Sequence, residues 1–203
     1  IFWTIITGGR FYYKSCKYID LYMSSFHSII SAILYNNKIN YYNNISYDFL
    51  GINYDINSIK NILIFSYLYF LIDTFIIDDR LYKLHHIITL SAISVTMYYE
   101  KYLMIVCEYL FYAEYPILLF NYIDYLDRSN KKVLYPIYYK ILVLIHWTMM
   151  LHSRAYNLGR IGYNCIKYLD WNICSSVIIT VHNIIYFFSI DWIIKRYKYI
   201  KEL

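Results

Sequence analysis

Apolar segments alternate with short polar connections along most of the chain, and an apolar segment of about 20 residues can cross a bilayer as a helix. A longer polar stretch at 36–58 is rich in Asn, Tyr and Asp. Short connections favour antiparallel neighbours in a helical bundle. The pattern therefore predicts an all-α, polytopic transmembrane bundle of about six complete spans, at residues 18–35, 59–77, 84–99, 102–123, 133–153 and 172–194.

The composition agrees with a membrane protein and argues against an ordinary soluble domain. Of the 203 residues, 60% are hydrophobic and 16% are charged, whereas soluble domains carry about 25% charged residues. We find no internal repeat and no soluble domain, so we expect one transmembrane domain over 1–203. Because the chain begins with Ile1, we also expect a truncated N-terminus, with 1–9 as the tail of a further span.

The charge distribution predicts an orientation. Most of the 19 Lys and Arg residues fall on the side of the predicted bundle that holds the C-terminus. Positively charged loops face the cytosol in most membrane proteins. We therefore expect a cytosolic C-terminus, and the net charge of +5 needs no nucleic acid to explain it.

Two adjacent histidines, His85 and His86, interrupt the third apolar segment. Ionisable side chains at bilayer depth are costly unless they face protein or water, so this histidine doublet is a functional-site hypothesis. Thr89 lies one turn after His85, while His86 points about 100° away. One imidazole could act as general base or accept an acyl group. The alternative is a pair of packed core histidines.

The first two segments carry further polar positions. One face of the first helix carries Asp20, Ser24, His27 and Ser31, and such a face needs protein or water as its partner. Asp73 lies within the second segment, where a histidine of a neighbouring helix would be a natural partner. Both observations predict a central polar cavity, with interhelical hydrogen bonding as the alternative.

The fourth and fifth segments add three candidates. Glu114 is two residues before Pro116, which kinks a helix, and it shares a face with Asn121. Arg154 lies near the predicted end of the fifth helix, where it could instead extend to the interface. The histidine spacings of membrane di-iron enzymes and the HExxH motif do not occur, so we expect no metal site and no bound cofactor.

Five features occur in an order that resembles the TLC domain family. They are SSFH at 24–27, YLYFLID at 67–73, HHIIT at 85–89, EYPILLFN at 114–121, and Arg154 in the fifth helix. The resemblance implies a helical barrel around a lipid-sized chamber, in the membrane of the endoplasmic reticulum. Ceramide synthases of this family transfer an acyl group from acyl-CoA to a sphingoid amine, and their double histidine is essential.

Carried over to this chain, the resemblance implies a catalytic role for three residues: His85, His86 and Glu114. Five others would bind substrate: His27, Asp73, Thr89, Asn121 and Arg154. Ceramide synthases have a pair of aspartates where this chain offers Glu114 alone, and no homeobox-like region is present. The chain therefore resembles the small TLC-domain-containing proteins more closely than true ceramide synthases.

Two functions in lipid metabolism or homeostasis follow from these motifs and the resemblance they carry. One is N-acyl transfer to a sphingoid or related lipid amine, with acyl-CoA as co-substrate. The alternative is a non-enzymatic membrane protein that binds, senses or traffics lipid. In both cases membrane lipids are the expected partners, and homodimerisation is a further hypothesis. A transporter is disfavoured, because the chain has neither a repeat nor paired broken helices.

Overall fold

A computed structural model describes residues 18–45, 56–77 and 80–202, and within these ranges the chain is helical apart from short turns. The predicted all-α class is thus confirmed for the described residues. The hypothetical tail of a further span at 1–9 lies outside them. The elements are α1 (Ile19–Ile45), α2 (Ile56–Ile76), α3 (Arg80–Tyr99), α4 (Leu103–Glu114), α5 (Ile117–Arg128), a 3-10 turn (Lys131–Val133), α6 (Pro136–Met150), a π-helical segment (Leu151–Asn157), α7 (Leu158–Tyr168) and α8 (Ile173–Glu202).

Two of these helices continue well past the ends predicted from hydropathy. The helix predicted over 18–35 extends to Ile45, so 36–45 is helical and not part of a loop. The helix predicted over 133–153 begins at Pro136 and continues through the π-helical segment and α7 to Tyr168. Both extensions contain polar residues, but no proline interrupts either of them. Polar residues thus lowered the hydropathy without ending the helix.

The helices of the described part pack as a closed ring of six units. Along this ring α1 contacts α2, α2 contacts α3, α3 contacts α8, α8 contacts the α6–α7 unit, that unit contacts the α4–α5 unit, and the α4–α5 unit contacts α1. Neighbours are antiparallel. Against α8, for example, Trp147 contacts Tyr197, Arg154 contacts Trp192 and Gly159 lies beside Tyr186.

A break at Tyr115 and Pro116 divides the fourth unit into two halves that pack differently. Proline lacks an N–H and its ring displaces the preceding turn. Before the break α4 contacts α2 and α3 as well as α1, whereas α5 contacts α1 and α6 but neither α2 nor α3. Leu103, Val106 and Leu110 of α4 are buried in a cluster with side chains of α2 and α3. Apolar side chains therefore fill the interior of the ring beside α4. A space remains in the interior beside α5.

Three helices of the described part are long and apolar enough to cross a membrane: Ile56–Ile76, Leu103–Arg128 and Ile173–Lys201. They fit a membrane protein. The prediction of about six spans goes further than this finding, and it stays a prediction.

The contact between Gly162 and His182 leads to a testable prediction for the packing of α7 on α8. A Cβ atom at Gly162 would lie 2.1 Å from His182 Nε2, and the imidazole is held between the rings of Tyr109 and Tyr186. We expect Gly162→Ala to lower the free energy of unfolding by about 1–3 kcal/mol, the usual cost of overpacking. Thermal unfolding in detergent micelles measures this.

Gly159→Ala is the matched control, since it adds the same methyl group to the same helix. Its Cβ would lie 3.2 Å from the Tyr186 hydroxyl, which needs only a small adjustment. His182→Ala should restore stability to the Gly162→Ala variant. Equal melting temperatures for the two glycine variants would show that the contact is not tight.

Candidate functional site

A pocket of about 450 Å³ lies on the α5 side of the break, and residues from all six units of the ring line it. We call it the histidine pocket. It includes six of the eight residues predicted to form the site: Asp73, His85, His86, Glu114, Asn121 and Arg154. These side chains come from five different elements, so the pocket depends on how the ring is assembled and not on one local motif.

The histidine doublet reaches the pocket from α3. His86 is buried, and its Nδ1 atom lies 3.5 Å from Asp73 Oδ2 on α2. His85 is partly buried, and its ring centroid is 5.6 Å from that of His86. Phe70 packs against His86 with a centroid distance of 5.2 Å. The Asp73 carboxylate is thus at ion-pair distance from Nδ1, and Nδ1 has no hydrogen-bond partner among the described residues.

Glu114 contacts His27 directly and acts on the doublet only from a longer distance. Its Oε2 atom lies 3.3 Å from His27 Nδ1 and accepts a hydrogen bond of 3.0 Å from Ser28. His27 Nε2 is in turn 3.0 Å from the hydroxyls of both Ser31 and Ser66. The resemblance implied Glu114 as the catalytic carboxylate. The carboxylate beside the doublet is that of Asp73. Glu114 instead connects α4 to α1.

Aromatic rings of α2 hold the His27 side chain in place. Tyr69 stacks on the imidazole at 3.8 Å between centroids with an interplanar angle of 8°, and Phe70 contacts it edge-on. His27 is 1% exposed and does not line the histidine pocket. These contacts form an interhelical clamp, which connects α1 to α2 and α4. The clamp lies next to Tyr69 and Glu114, which line the histidine pocket.

Arg154 is buried in the π-helical segment, although the sequence placed it near a helix end. The helix continues for another 14 residues, and the Arg154 side chain is 3% exposed. Its Nη2 atom donates a hydrogen bond of 2.8 Å to the Ala113 carbonyl, at the break caused by Pro116. The guanidinium also packs over the ring of Trp192 at 5.1 Å. Single π-helical turns inside α-helices often occur at functional sites.

Asn121 and Thr89 differ in their placement. Asn121 lines the histidine pocket, and its Nδ2 atom donates to Ser25 Oγ at 3.1 Å. Thr89 donates from Oγ1 to the His85 carbonyl at 2.9 Å, and it lines a separate cavity of about 30 Å³. Thr89 therefore supports the backbone of the doublet instead of facing the same pocket.

The lining of the histidine pocket also includes Asp20, Asp124 and Arg128, which are not among the eight predicted site residues. Arg128 forms ion pairs with Asp20 and with Asp124, each with an N–O distance of 2.7 Å. The spacing of four residues between Asp124 and Arg128 is a signal that could have found this pair. Nothing in the sequence pattern links Asp20 to Arg128. Trp192, whose position beside a basic C-terminal stretch would suit the membrane interface, covers Arg154.

Among the described residues, no group of three or more His, Cys, Asp or Glu side chains is placed to hold a metal ion. Comparison of the chain with protein-family models, with curated proteins and with solved structures finds no match. The resemblance to the TLC domain family therefore rests on the quoted segments, and family membership stays a prediction.

The clamp between His27 and Glu114 gives a prediction about stability. Glu114→Gln keeps the shape of the side chain but removes its charge, so buried donors of His27 and Ser28 lose a strong acceptor. We expect the free energy of unfolding to fall by about 1–3 kcal/mol. Glu114→Ala should cost more, about 3–5 kcal/mol, because it leaves a buried partner uncompensated. Chemical denaturation in detergent measures both values.

Glu100→Gln is the matched control, because Glu100 forms an exposed ion pair with Lys60. Exposed pairs contribute about 0–1 kcal/mol. If Glu100→Gln destabilised the protein as much as Glu114→Gln, the buried clamp would have no special role.

Proposed function

We propose that this chain is a multi-pass membrane protein of lipid metabolism, and that it transfers an acyl group to a lipid amine in the histidine pocket. The observation that carries the proposal is the approach of Asp73 to buried His86 within a pocket of about 450 Å³. Small-molecule sites typically enclose about 300–1,000 Å³. The pocket thus has the size for a ligand, and it holds an imidazole at ion-pair distance from a carboxylate.

The outward faces of the helices support several membrane crossings. On α1 the exposed side chains include Tyr22, Phe26, Ile29 and Ile33, which follow the helical repeat, while His27, Ser28 and Ser31 of the same helix are buried. Water would favour the opposite arrangement, and a bilayer favours this one. Similar exposed apolar stripes occur on α3, at Leu81, Leu84 and Ile87, and on α6, at Ile137, Ile141, Leu144 and Ile145.

Acyl transfer in the pocket would use His86 as general base. The amine nitrogen attacks the thioester carbonyl of acyl-CoA, the amide bond forms, and the carbon–sulfur bond breaks. His86 Nε2 accepts the amine proton and returns it to the thiolate, which leaves as the CoA thiol. Asp73 would stabilise the imidazolium in between, as a carboxylate does in hydrolase triads. Arg154 lines the same pocket and could stabilise negative charge on the carbonyl oxygen.

Lipid binding without turnover is the second candidate, and one observation favours it. Glu114, which the resemblance implied as a catalytic group, is already bonded to His27 and Ser28. The doublet and Asn121 would then serve as hydrogen-bond partners for a lipid headgroup. A chamber of this kind could sequester, sense or traffic the lipid.

The location in the endoplasmic reticulum, the cytosolic C-terminus and homodimerisation are also proposals. The resemblance to the TLC domain family supports the organelle. The surplus of Lys and Arg around the C-terminal end of α8, including Lys195, Arg196 and Lys198, supports the orientation.

The acyl-transfer proposal predicts that His86→Ala and Asp73→Asn each abolish most of the activity. In membranes supplied with labelled acyl-CoA and a sphingoid base, His86→Ala should lower the rate of amide formation by about 10²–10⁴-fold, the usual contribution of a general base. Asp73→Asn should reduce the maximal rate with little change in the apparent KM for the amine. Quantitative lipid mass spectrometry of the product measures both.

His152→Ala and Asp170→Asn are matched controls, because both residues are exposed and lie outside the pocket lining. Their rates should equal that of the unchanged protein. Unchanged activity in His86→Ala would reject acyl transfer at the doublet. If the unchanged protein shows no turnover, but retains a lipid that folded His86→Ala loses, lipid binding is the better account.

A further inference from the structure

A second pocket of about 290 Å³ lies against the histidine pocket and shares part of its wall, including Arg154, Phe120 and Trp192. Its other polar lining comes from His146, Lys195 and Arg196. We call it the cationic pocket. We propose that it binds the phosphate group of an anionic amphiphile.

The positive charge of Arg154 has no direct ion-pair partner among the described residues, and Glu114 attracts it only from a longer distance. Among the described residues no carboxylate lies within ion-pair distance of its guanidinium, whose partners are the Ala113 carbonyl and the ring of Trp192. Its Nε atom is buried, and no described residue accepts a hydrogen bond from it. A buried cation with an unused donor is costly unless an anion completes the site.

Arg196 adds a second guanidinium to the same pocket. It packs over the rings of Phe120 at 5.4 Å and Tyr199 at 5.7 Å, and no ion pair involves it in the described part of the chain. Aromatic neighbours hold a guanidinium in place while leaving its N–H donors available. Two arginines that approach one cavity match the geometry of a phosphate, which accepts bidentate hydrogen bonds.

The remaining polar groups around this pocket fit the same ligand. His146 is 3% exposed, and its Nδ1 atom has no hydrogen-bond partner among the described residues. Lys195 is paired with Asp191 at 2.6 Å, so within the described ranges the unpaired cations of the lining are the two arginines. Glu114 lies on the other side of the shared wall and is bonded to His27 and Ser28.

The rest of the lining is apolar, which points to an amphiphile and not to free inorganic phosphate. Ile117, Phe120 and Met150 line the cationic pocket, and Ile117 and Phe120 continue into the histidine pocket. A ligand could thus place its phosphate at Arg154 and Arg196 while its apolar part lies along the shared wall. Two sources carry this chemistry: the headgroup of a phospholipid, or the phosphates of a nucleotide thioester carrier. Binding of this kind does not depend on whether the doublet catalyses acyl transfer.

The test compares pairs of probes that differ only in phosphate, with the full chain in maltoside micelles. Lysophosphatidic acid is compared with the monoacylglycerol of the same acyl chain, and 4′-phosphopantetheine, the phosphorylated arm of the nucleotide carrier, with pantetheine, by isothermal titration calorimetry. We expect the phosphorylated member of one pair to bind at least about tenfold more tightly, as charge-assisted hydrogen bonds allow. A preference in the first pair identifies a lipid headgroup, and a preference in the second identifies a nucleotide carrier.

Arg196→Gln should remove most of that preference, while the affinity for the unphosphorylated probe stays the same. Lys198→Gln is the matched control, because it removes one positive charge from the same helix at an exposed position outside the pocket lining. It should keep the preference. The proposal is overturned if neither phosphorylated probe binds more tightly than its counterpart, or if both variants lose the preference equally. The comparison of probes on the unchanged protein decides the matter even if Arg196→Gln fails to fold.

Discussion

Polar side chains such as His27, His86 and Glu114 are buried between the described helices, while large apolar side chains such as Phe26, Ile87 and Leu144 face outward. This arrangement constrains the rest of the structure, because a nonpolar surrounding offers no hydrogen-bond partner and a buried polar group gains from one within the protein. His86 faces Asp73 across α2 and α3, and Glu114 faces His27 across α4 and α1. These interhelical contacts both join neighbouring units and fix where the pocket forms.

Two irregularities of the helices meet at the wall between the two pockets. Pro116 interrupts the fourth unit, and the π-helical segment interrupts the fifth. Arg154 connects them, because it projects from the π-helical segment and donates to the Ala113 carbonyl beside the break. The same guanidinium lines both the histidine pocket and the cationic pocket. One buried arginine thus stabilises the break that creates the first pocket, and it supplies charge to the second.

Features that depend on local pattern could be predicted from the sequence. Helical structure, the depth of the doublet and the break at Pro116 all follow from hydropathy and proline chemistry. The pairing of Asp73 with a histidine was predictable as well, because a carboxylate among apolar residues needs a cationic or hydrogen-bonding partner. Thr89, which the resemblance implied as a substrate-binding residue, lines a different cavity from the histidine pocket, and its role stays a prediction.

Features that depend on the order of helices around the ring could not be predicted. Glu114 meets His27 because α1 lies between α2 and the fourth unit, and hydropathy contains no information on that order. Glu108 and Arg160 would each suit a membrane interface, yet they form an ion pair in which Glu108 is buried. The helix end predicted at 153 is too early for a related reason: the pattern records that Arg154 and Asn157 are polar, but not that they are buried.

The most direct test of this account measures the orientation of α1 in a bilayer. Nitroxide labels attached singly at positions 22 to 33, with the native cysteines replaced, report their accessibility to molecular oxygen by electron paramagnetic resonance. Oxygen concentrates among lipid tails, so we predict maxima at Tyr22, Phe26, Ile29 and Ile33 and minima at His27, Ser28 and Ser31. A profile of the opposite phase, or one without helical periodicity, would contradict an inward polar face, and the histidine pocket would lose its physical basis.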